Sequence, residues 1–182
     1  MSDVRSDLVL SQSVHSHVIN APLGKVDLAK WLLSLPDAEY QRCAPPDHVA
    51  AGATTTDDGR PMSINVEMIG TGLMIQHYVG DITGRDHCRM VSLSDVFTPT
   101  GRTRVQVIWE LSAKRIDDDH CEYTNSVTAH PTEEFLAFLK EHDTSFEQAA
   151  QDRQAASSDH NSRETPLFAG SIERAALAAL AV

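Results

Sequence analysis

The sequence predicts a single α+β domain over residues 1–182, in which a seven-stranded antiparallel sheet wraps around a long C-terminal helix. Three observations support this fold class. Six strand-like segments follow one another with hairpin-length turns, which is typical of an antiparallel meander. One further strand and two short helices precede the meander, and a long helix-forming segment follows it.

The segment before the meander begins with an arm. Residues 1–13 carry charged residues among small ones and lack the apolar stretch of a signal peptide, so we expect a flexible arm. Residues 14–20 are predicted to form a strand. An apolar stripe predicts a short helix over residues 26–33, which Pro36 stops, and a second short helix over residues 37–43.

From His48 onwards, apolar residues recur at every second position, which is the period of a strand. Turn residues divide this region, and Asp57-Asp58-Gly59 is a strong hairpin signal. The predicted strands are residues 48–56, 62–69, 73–82, 87–97, 102–114 and 120–130. We expect the strand at residues 14–20 to pair with the last of them.

After Pro131 the composition favours helix. Thr132 is the predicted N-cap of a first helix, with Glu133 and Glu134 in the turn where the helix dipole favours negative charge. Residues 145–181 are rich in Ala, Gln, Glu and Arg and are predicted to form a long helix. Pro166 within it predicts a kink or a short break.

Composition limits the partners and the compartment. The net charge of −11, with no cluster of Lys or Arg, argues against nucleic acid and anionic membrane surfaces. No apolar run of about 18 residues predicts a membrane-spanning helix. The three cysteines form no CxxC pair, which indicates a reduced, cytoplasmic protein.

The order of elements resembles the START-like superfamily, also called the helix-grip or birch-pollen-allergen fold. The resemblance covers residues 14–180 and includes the opening segment VINAPLGKVDLAKWL, where a strand ending in Ala-Pro leads into a short helix. It implies a cavity between sheet and helix that takes a small hydrophobic or aromatic ligand. The superfamily includes lipid and hormone carriers, polyketide cyclases and some hydrolases.

Candidate metal ligands lie on the long helix and on two strands. His160 and Glu164 are four residues apart and share one helix face. A turn centred on Thr83-Gly84 and another near Thr100 would place His77 and Glu110 level, on the two strands that flank a shared middle strand. Imidazole and carboxylate groups are good ligands for Zn²⁺ and also suit iron or manganese.

The order His…Glu…His-x3-Glu is similar to that of the 2,4-diacetylphloroglucinol hydrolases. These enzymes have a helix-grip domain with a zinc site and cleave the carbon–carbon bond between an acyl group and an aromatic ring. The resemblance implies a divalent metal ion, zinc, held by His77, Glu110, His160 and Glu164. Three further residues are candidate ligand-binding groups. Arg153 and Ser157 extend the helix face, and Ser126 is expected beside Glu110.

Two features leave alternatives open. The polar face of the helix is equally typical of a solvated surface. On the strand of Glu110, an apolar face is formed by Val105, Val107, Trp109 and Leu111. If that face lines the cavity, Glu110 points to solvent. The predicted site requires either that a second subunit covers the apolar face, as in a homodimer, or that a β-bulge shifts the alternation. Asn65 and Glu67 alternate with apolar residues and are predicted to be the exposed side of their strand.

Two function classes follow. The first is a metal-dependent hydrolase or lyase for an aromatic or polyketide-like molecule, whose ion polarises a carbonyl or lowers the pKa of a bound water. The second is a metal-free small-molecule or lipid-binding protein, or a polyketide cyclase-like protein, in which His160 and Glu164 only anchor the ligand. No nucleotide-binding or nucleophile-elbow motif is present.

Overall fold

A computed structural model describes residues 4–178 and confirms the predicted fold class. One antiparallel sheet has the strand order β1-β7-β6-β5-β4-β3-β2. Its strands are β1 Ser11–Ile19, β2 His48–Thr55, β3 Pro61–Ile69, β4 Gly72–Thr83, β5 His87–Thr98, β6 Gly101–Arg115 and β7 Cys121–Pro131. The predicted pairing of the first strand with the last is also confirmed.

Four α-helices accompany the sheet: α1 Leu28–Ser34, α2 Asp37–Cys43, α3 Glu133–Glu141 and α4 Phe146–Ala178. The side chain of Asp27 caps α1 by accepting from the Lys30 amide at 3.0 Å. Thr132 caps α3 as predicted, accepting from the Phe135 amide at 3.0 Å. The long helix α4 continues through Pro166, so the predicted break does not occur there.

The inner face of the sheet packs against α4 and forms the core. Val105, Val107, Trp109 and Leu111 of β6 are all at most 4% exposed. The Trp109 ring lies 5.9 Å from the ring of Phe168 on α4. The hypothesis that a second subunit covers this apolar face is therefore corrected, because the face belongs to the core of one chain.

The outer face of the sheet is also partly apolar. Met62, Val79, Val91 and Ile108 are paired in one row across β3, β4, β5 and β6. All four side chains are half-buried. This row is part of the apolar surface that the sheet presents outwards, on the opposite face from the apolar residues of β6.

Residues 4–13 are more ordered than the predicted flexible arm. Val4 forms an isolated bridge with Thr132, Leu10 is 3% exposed, and Ser11 already belongs to β1. Residues 1–3 and 179–182 lie outside the described part of the chain, including the predicted end of the long helix at residue 181. No helix within residues 4–178 combines the length and apolar character needed to span a membrane.

Candidate functional site

A buried polar cluster lies where β2 and β3 meet α4. His48 is the first residue of β2 and stands directly opposite Glu67 of β3. The register of the two strands shifts between His48 and Ala50, which marks a β-bulge next to His48. His48 is 4% exposed and Glu67 is 8% exposed, so an imidazole and a carboxylate both enter the core.

The helix supplies the other two members of the cluster. His160 and Glu164 lie one turn apart on α4 and are 2% and 5% exposed. They share the helix face that packs against the sheet, as the spacing of four residues predicted. The interpretation of this face as a solvated surface is therefore wrong.

The two imidazoles point at the same two carboxylate oxygens. His48 Nε2 lies 3.1 Å from Glu164 Oε2 and 3.6 Å from Glu67 Oε2. His160 Nε2 lies 3.4 Å from Glu164 Oε2 and 3.5 Å from Glu67 Oε2. One ligand atom from each of His48, Glu67 and His160 lies within 4.8 Å of the other two. We call His48, Glu67, His160 and Glu164 the His–Glu cluster.

The other nitrogen of each imidazole is already engaged. His48 Nδ1 lies 2.7 Å from the backbone oxygen of Tyr40, and His160 Nδ1 lies 2.9 Å from Asp47 Oδ2. A carbonyl oxygen can only accept, and a carboxylate does the same, so each Nδ1 carries the hydrogen. Each Nε2 is then left to face the carboxylates, and a proton or a cation must separate them.

The two carboxylates are also held in place. Asn125 donates to Glu164 Oε1 at 2.9 Å and accepts from Trp109 Nε1 at 2.9 Å. The Tyr40 hydroxyl donates to Glu67 Oε2 at 3.0 Å. The Tyr40 ring stacks on the His48 ring at 3.7 Å with an interplanar angle of 2°. Such outer contacts fix the orientation of buried ligating groups.

Charge coupling within the cluster shifts its titration. Burial would lower the pKa of His160, but the charges and hydrogen bonds of Glu164 and Glu67 outweigh it and raise the pKa to about 11. Burial would raise the pKa of Glu164, but the charge and hydrogen bond of His160 lower it to about 2. The pKa of Glu67 is lowered against the effect of burial by the same His160. Without a metal ion, His160 is therefore protonated at neutral pH.

A narrow cavity of about 20 Å³ adjoins the cluster. That volume holds about one water molecule. Its lining includes Asn65, Gln76, Tyr78, Arg153 and Ser157 besides the cluster. The cavity beside the cluster has the size for an ion or a water molecule in this structure, not for an organic ligand.

His77 and Glu110 do not join the cluster, which corrects the predicted four-residue arrangement. His77 lies between Gln76 and Tyr78, whose side chains are buried on the inner face, so His77 points outwards. Glu110 lies between the buried Trp109 and Leu111 and accepts a hydrogen bond from His87 Nε2 at 2.6 Å. Both stand on the opposite face of the sheet from His160.

The β4–β5 register explains why His77 and Glu110 are not level. Ile75 pairs with Asp95 and Val79 with Val91, so His77 is level with Leu93 and not with Met90. The turn is centred later than Thr83-Gly84, and the register shifts between Gly80 and Ile82. The next hairpin was predicted to within one residue, since Met90 pairs with Trp109.

Of the three candidate ligand-binding residues, two line the cavity and one does not. Arg153 and Ser157 line the cavity, as their place on the helix face predicted. Ser126 pairs with Glu110 as expected, but both belong to the outer face. Ser126 therefore has no access to the cavity.

Glu67 was missed because the alternation on β3 was assigned to the wrong face. Its cross-strand partner His48 was missed with it. Asn65 and Glu67 are 4% and 8% exposed, while Ile64 and Val66 are the half-buried outer residues. A signal was available in the Asp57-Asp58-Gly59 turn. Centring the hairpin there brings His48 and Glu67 level to within one residue, and both fit the order His…Glu…His-x3-Glu.

Comparisons with known proteins identify the fold. No family model and no curated protein matches the chain. The Zhui aromatase/cyclase from Streptomyces sp. R1128 is similar in structure, with a TM-score of 0.66, 13% identity, and coverage of 90% of this chain and 93% of that one. A protein from Thermus thermophilus has a TM-score of 0.50 at 13% identity over 92% of this chain and 98% of its own. The chain therefore has the START-like helix-grip fold.

Proposed function

We propose that this protein binds a divalent metal ion at His48, Glu67, His160 and Glu164 and acts as a hydrolase or lyase on an aromatic or polyketide-like molecule. One observation carries the proposal. Both Nε2 atoms point at the same pair of carboxylate oxygens, while both Nδ1 atoms are held by acceptors. Histidines that bind metal typically donate their other N–H to a carbonyl or carboxylate in this way.

The donor set fits a borderline divalent ion. Two imidazole nitrogens and two carboxylates suit Zn²⁺, and they also suit iron or manganese. Two buried carboxylates that contact the same pair of imidazoles need compensating positive charge, because isolated buried charges are costly. A divalent ion supplies that charge and leaves both imidazoles neutral.

The residues around the cluster support catalysis at an ion. When bound, such an ion polarises a carbonyl group or lowers the pKa of a water molecule. Tyr40 and Asn125 hold the two carboxylates in fixed orientations, and Asp47 holds His160. Burial of the whole cluster keeps bulk water away from the reacting groups.

A second candidate function is a metal-free small-molecule-binding or cyclase-like protein. The pKa of His160 favours this candidate. Burial lowers that pKa, but the adjacent carboxylates outweigh burial and raise it to about 11. A protonated His160 neutralises part of the cluster without an ion. The likeness in fold to an aromatase/cyclase agrees with this candidate but extends no further than the fold.

Metal analysis of protein purified without chelator separates the two candidates. About one equivalent of bound metal in the wild type, lost in His160→Ala and retained in His142→Ala, supports the first. His142 is a suitable control because it lies at the end of α3 and its side chain bonds only the Phe138 backbone oxygen in the described structure. A wild type that carries no metal and takes up no added Zn²⁺ would exclude the first and support the second.

The reaction class requires a separate assay. Metal-loaded protein is incubated with phenols that carry an acyl group on a ring carbon. Release of the free acid and of the deacylated ring is followed by chromatography. Cleavage that disappears on chelation and returns with Zn²⁺ supports the hydrolase. Binding of these compounds without cleavage would leave a carrier.

Two further proposals concern assembly and location. The outer row Met62, Val79, Val91 and Ile108 supports a homodimer formed through the outer face. The cysteines Cys43, Cys88 and Cys121 are buried and unpaired, which agrees with a reducing, cytoplasmic environment.

A further inference from the structure

A second pocket, which we call the apolar pocket, adjoins the narrow cavity and is much larger. It is open to solvent and has a volume of about 510 Å³ between the β3–β4 turn, the β5–β6 turn, α3 and the first turns of α4. Its apolar lining includes Leu10, Val96, Val105, Phe135, Phe138 and Leu139. The narrow cavity is too small for an organic molecule, so the apolar pocket is the space available for the body of a ligand.

Arg153 stands at the boundary between the two spaces. It lines both the narrow cavity and the apolar pocket, a property that it shares with Ile69. Its Nε atom is buried and has no hydrogen-bond partner among residues 4–178. A ligand that fills the apolar pocket and reaches towards the His–Glu cluster must pass this guanidinium.

The positive charge of Arg153 is not matched by the described part of the protein. Every other arginine forms an ion pair, such as Arg104 with Glu134 at 2.6 Å and Arg163 with Asp47 at 2.6 Å. No carboxylate of residues 4–178 lies within ion-pair distance of Arg153. Burial lowers the pKa of Arg153, with Glu67 acting against it from a distance. An unpaired, largely buried guanidinium is costly unless a ligand supplies the anion.

We propose that the apolar pocket binds an amphipathic organic anion, whose apolar body contacts Phe135 and Phe138 and whose acidic group pairs with Arg153. A guanidinium matches a carboxylate, or a tetrahedral oxyanion such as a phosphate or sulfonate, through two parallel hydrogen bonds. The inference deepens the proposed function, because it names the substrate class of that site. Binding of the anion does not itself need the metal ion.

The residues around the pocket favour one anionic group of the ligand at Arg153 and disfavour a second one elsewhere in the pocket. Asp152 also lines the pocket, but it is exposed and accepts from Gln148 at 2.9 Å, so it marks the rim. In chelator-treated protein, where no ion offsets their charges, Glu67 and Glu164 on the cluster side of Arg153 repel an anion that goes deeper. The acidic group is therefore placed at Arg153, with the rest of the ligand in the apolar pocket.

Two dyes that differ by one charged group test the proposal. These are 8-anilinonaphthalene-1-sulfonate and its uncharged parent N-phenyl-1-naphthylamine, each titrated by fluorescence into chelator-treated protein. We expect the wild type to bind the sulfonate at least tenfold more tightly than the parent. Arg153→Met should remove this preference without weakening the parent dye, and Arg153→Lys should retain part of it.

Three comparisons make the result decisive. Arg89→Met removes an arginine that pairs with Asp81 on the surface and should leave both affinities unchanged. Ala149→Phe places a ring in the apolar pocket and should weaken both dyes. Circular dichroism verifies that each variant is folded. Equal affinity of wild type for the two dyes, or sulfonate binding that survives Arg153→Met, would overturn the proposal.

Failure of this inference is distinguishable from failure of the metal proposal. Metal content is measured on the same variants, and Arg153→Met should bind Zn²⁺ like the wild type. Loss of dye preference with metal retained confirms the anion site alone. A wild type that binds no metal but prefers the sulfonate supports the metal-free candidate with the same ligand class.

Discussion

His48, the first residue of β2, faces Glu67, the last residue of β3 that pairs with β2, and His48 Nε2 lies 3.6 Å from Glu67 Oε2. This cross-strand pair meets a second histidine and glutamate, one helical turn apart on α4. Sheet and helix therefore each contribute one imidazole and one carboxylate to the cluster. Neither element can move without changing the distances between them.

The first prediction compares the histidine that the structure places in the cluster with the one the sequence suggested. His48→Ala should abolish tight metal binding, because it removes one of two imidazole ligands. At a free-ion concentration of about 100 times Kd, the ion contributes ~2.7 kcal/mol to the free energy of unfolding, so the melting temperature should fall by roughly 5–10 °C. His77→Ala, on the outer face, should change neither property. If His77→Ala abolished metal binding and His48→Ala did not, the ligand set predicted from the sequence would be correct.

The second prediction concerns Asp47, which holds His160 through Nδ1 at 2.9 Å. Asp47→Asn keeps the shape but loses the charge that orients the imidazole. Metal affinity should fall by about 10–100-fold, as is typical for such outer contacts. A competition titration with a chromogenic chelator measures it. The matched control is Asp117→Asn, which removes the carboxylate beside His120 on the surface, 2.8 Å from Nδ1. An unchanged affinity in Asp47→Asn would mean that the hydrogen bond from His160 to the Asp47 carboxylate does not contribute to metal binding.

The third prediction is the pH dependence of the metal-free protein. The carboxylates raise the pKa of His160 to about 11 against burial, and His160 lowers that of Glu164 to about 2. The stability from His160 should be fully present below about pH 6.5 and lost as the pH rises towards 11. The stability from Glu164 should be present above about pH 4.5 and lost as the pH falls towards 2.

Urea unfolding of chelated protein between pH 5 and 10 measures the alkaline part. The wild type should lose stability across this range, and His160→Gln should show a flatter profile because the titrating group is gone. Identical slopes for the two proteins would contradict the coupling of His160 to Glu164 and Glu67.

The fourth prediction concerns self-association through the outer face. Sedimentation at micromolar concentration should show a dimer for the wild type. Val91→Glu places a charge in the centre of the apolar row and should give a monomer. Ser112→Glu adds the same charge to the outer face of β6, four residues along the strand from Ile108, and should remain dimeric. A monomeric wild type would exclude the proposed homodimer.

Element bounds were predictable where local chemistry sets them. The strand predicted at residues 87–97 is His87–Thr98, and the short helix predicted at residues 37–43 is Asp37–Cys43. Turn residues and prolines fix these limits without reference to the rest of the fold. His160 and Glu164 were found for a similar reason, since a spacing of four residues is a local property of a helix.

The remaining half of the cluster and the position of His77 each depend on a non-local property. A period of two shows that Glu67 and Ile64 lie on opposite faces of β3, but it does not show which face meets α4. Here the polar face is the inner one, contrary to the usual distribution of polar residues. The register of β4 against β5 depends on the shift between Gly80 and Ile82, which the sequence pattern does not reveal.

The hydrogen bond between His48 and Glu164 joins positions 116 residues apart. Six of the seven strands lie at or between these positions, so the contact closes a loop that contains most of the sheet. Loop closure costs entropy that grows with length, and pairing of the intervening strands brings the two ends of this loop together. We therefore expect the cluster to assemble late in folding. Its charged groups stay hydrated until then, and a tight metal site is a property of the finished fold only.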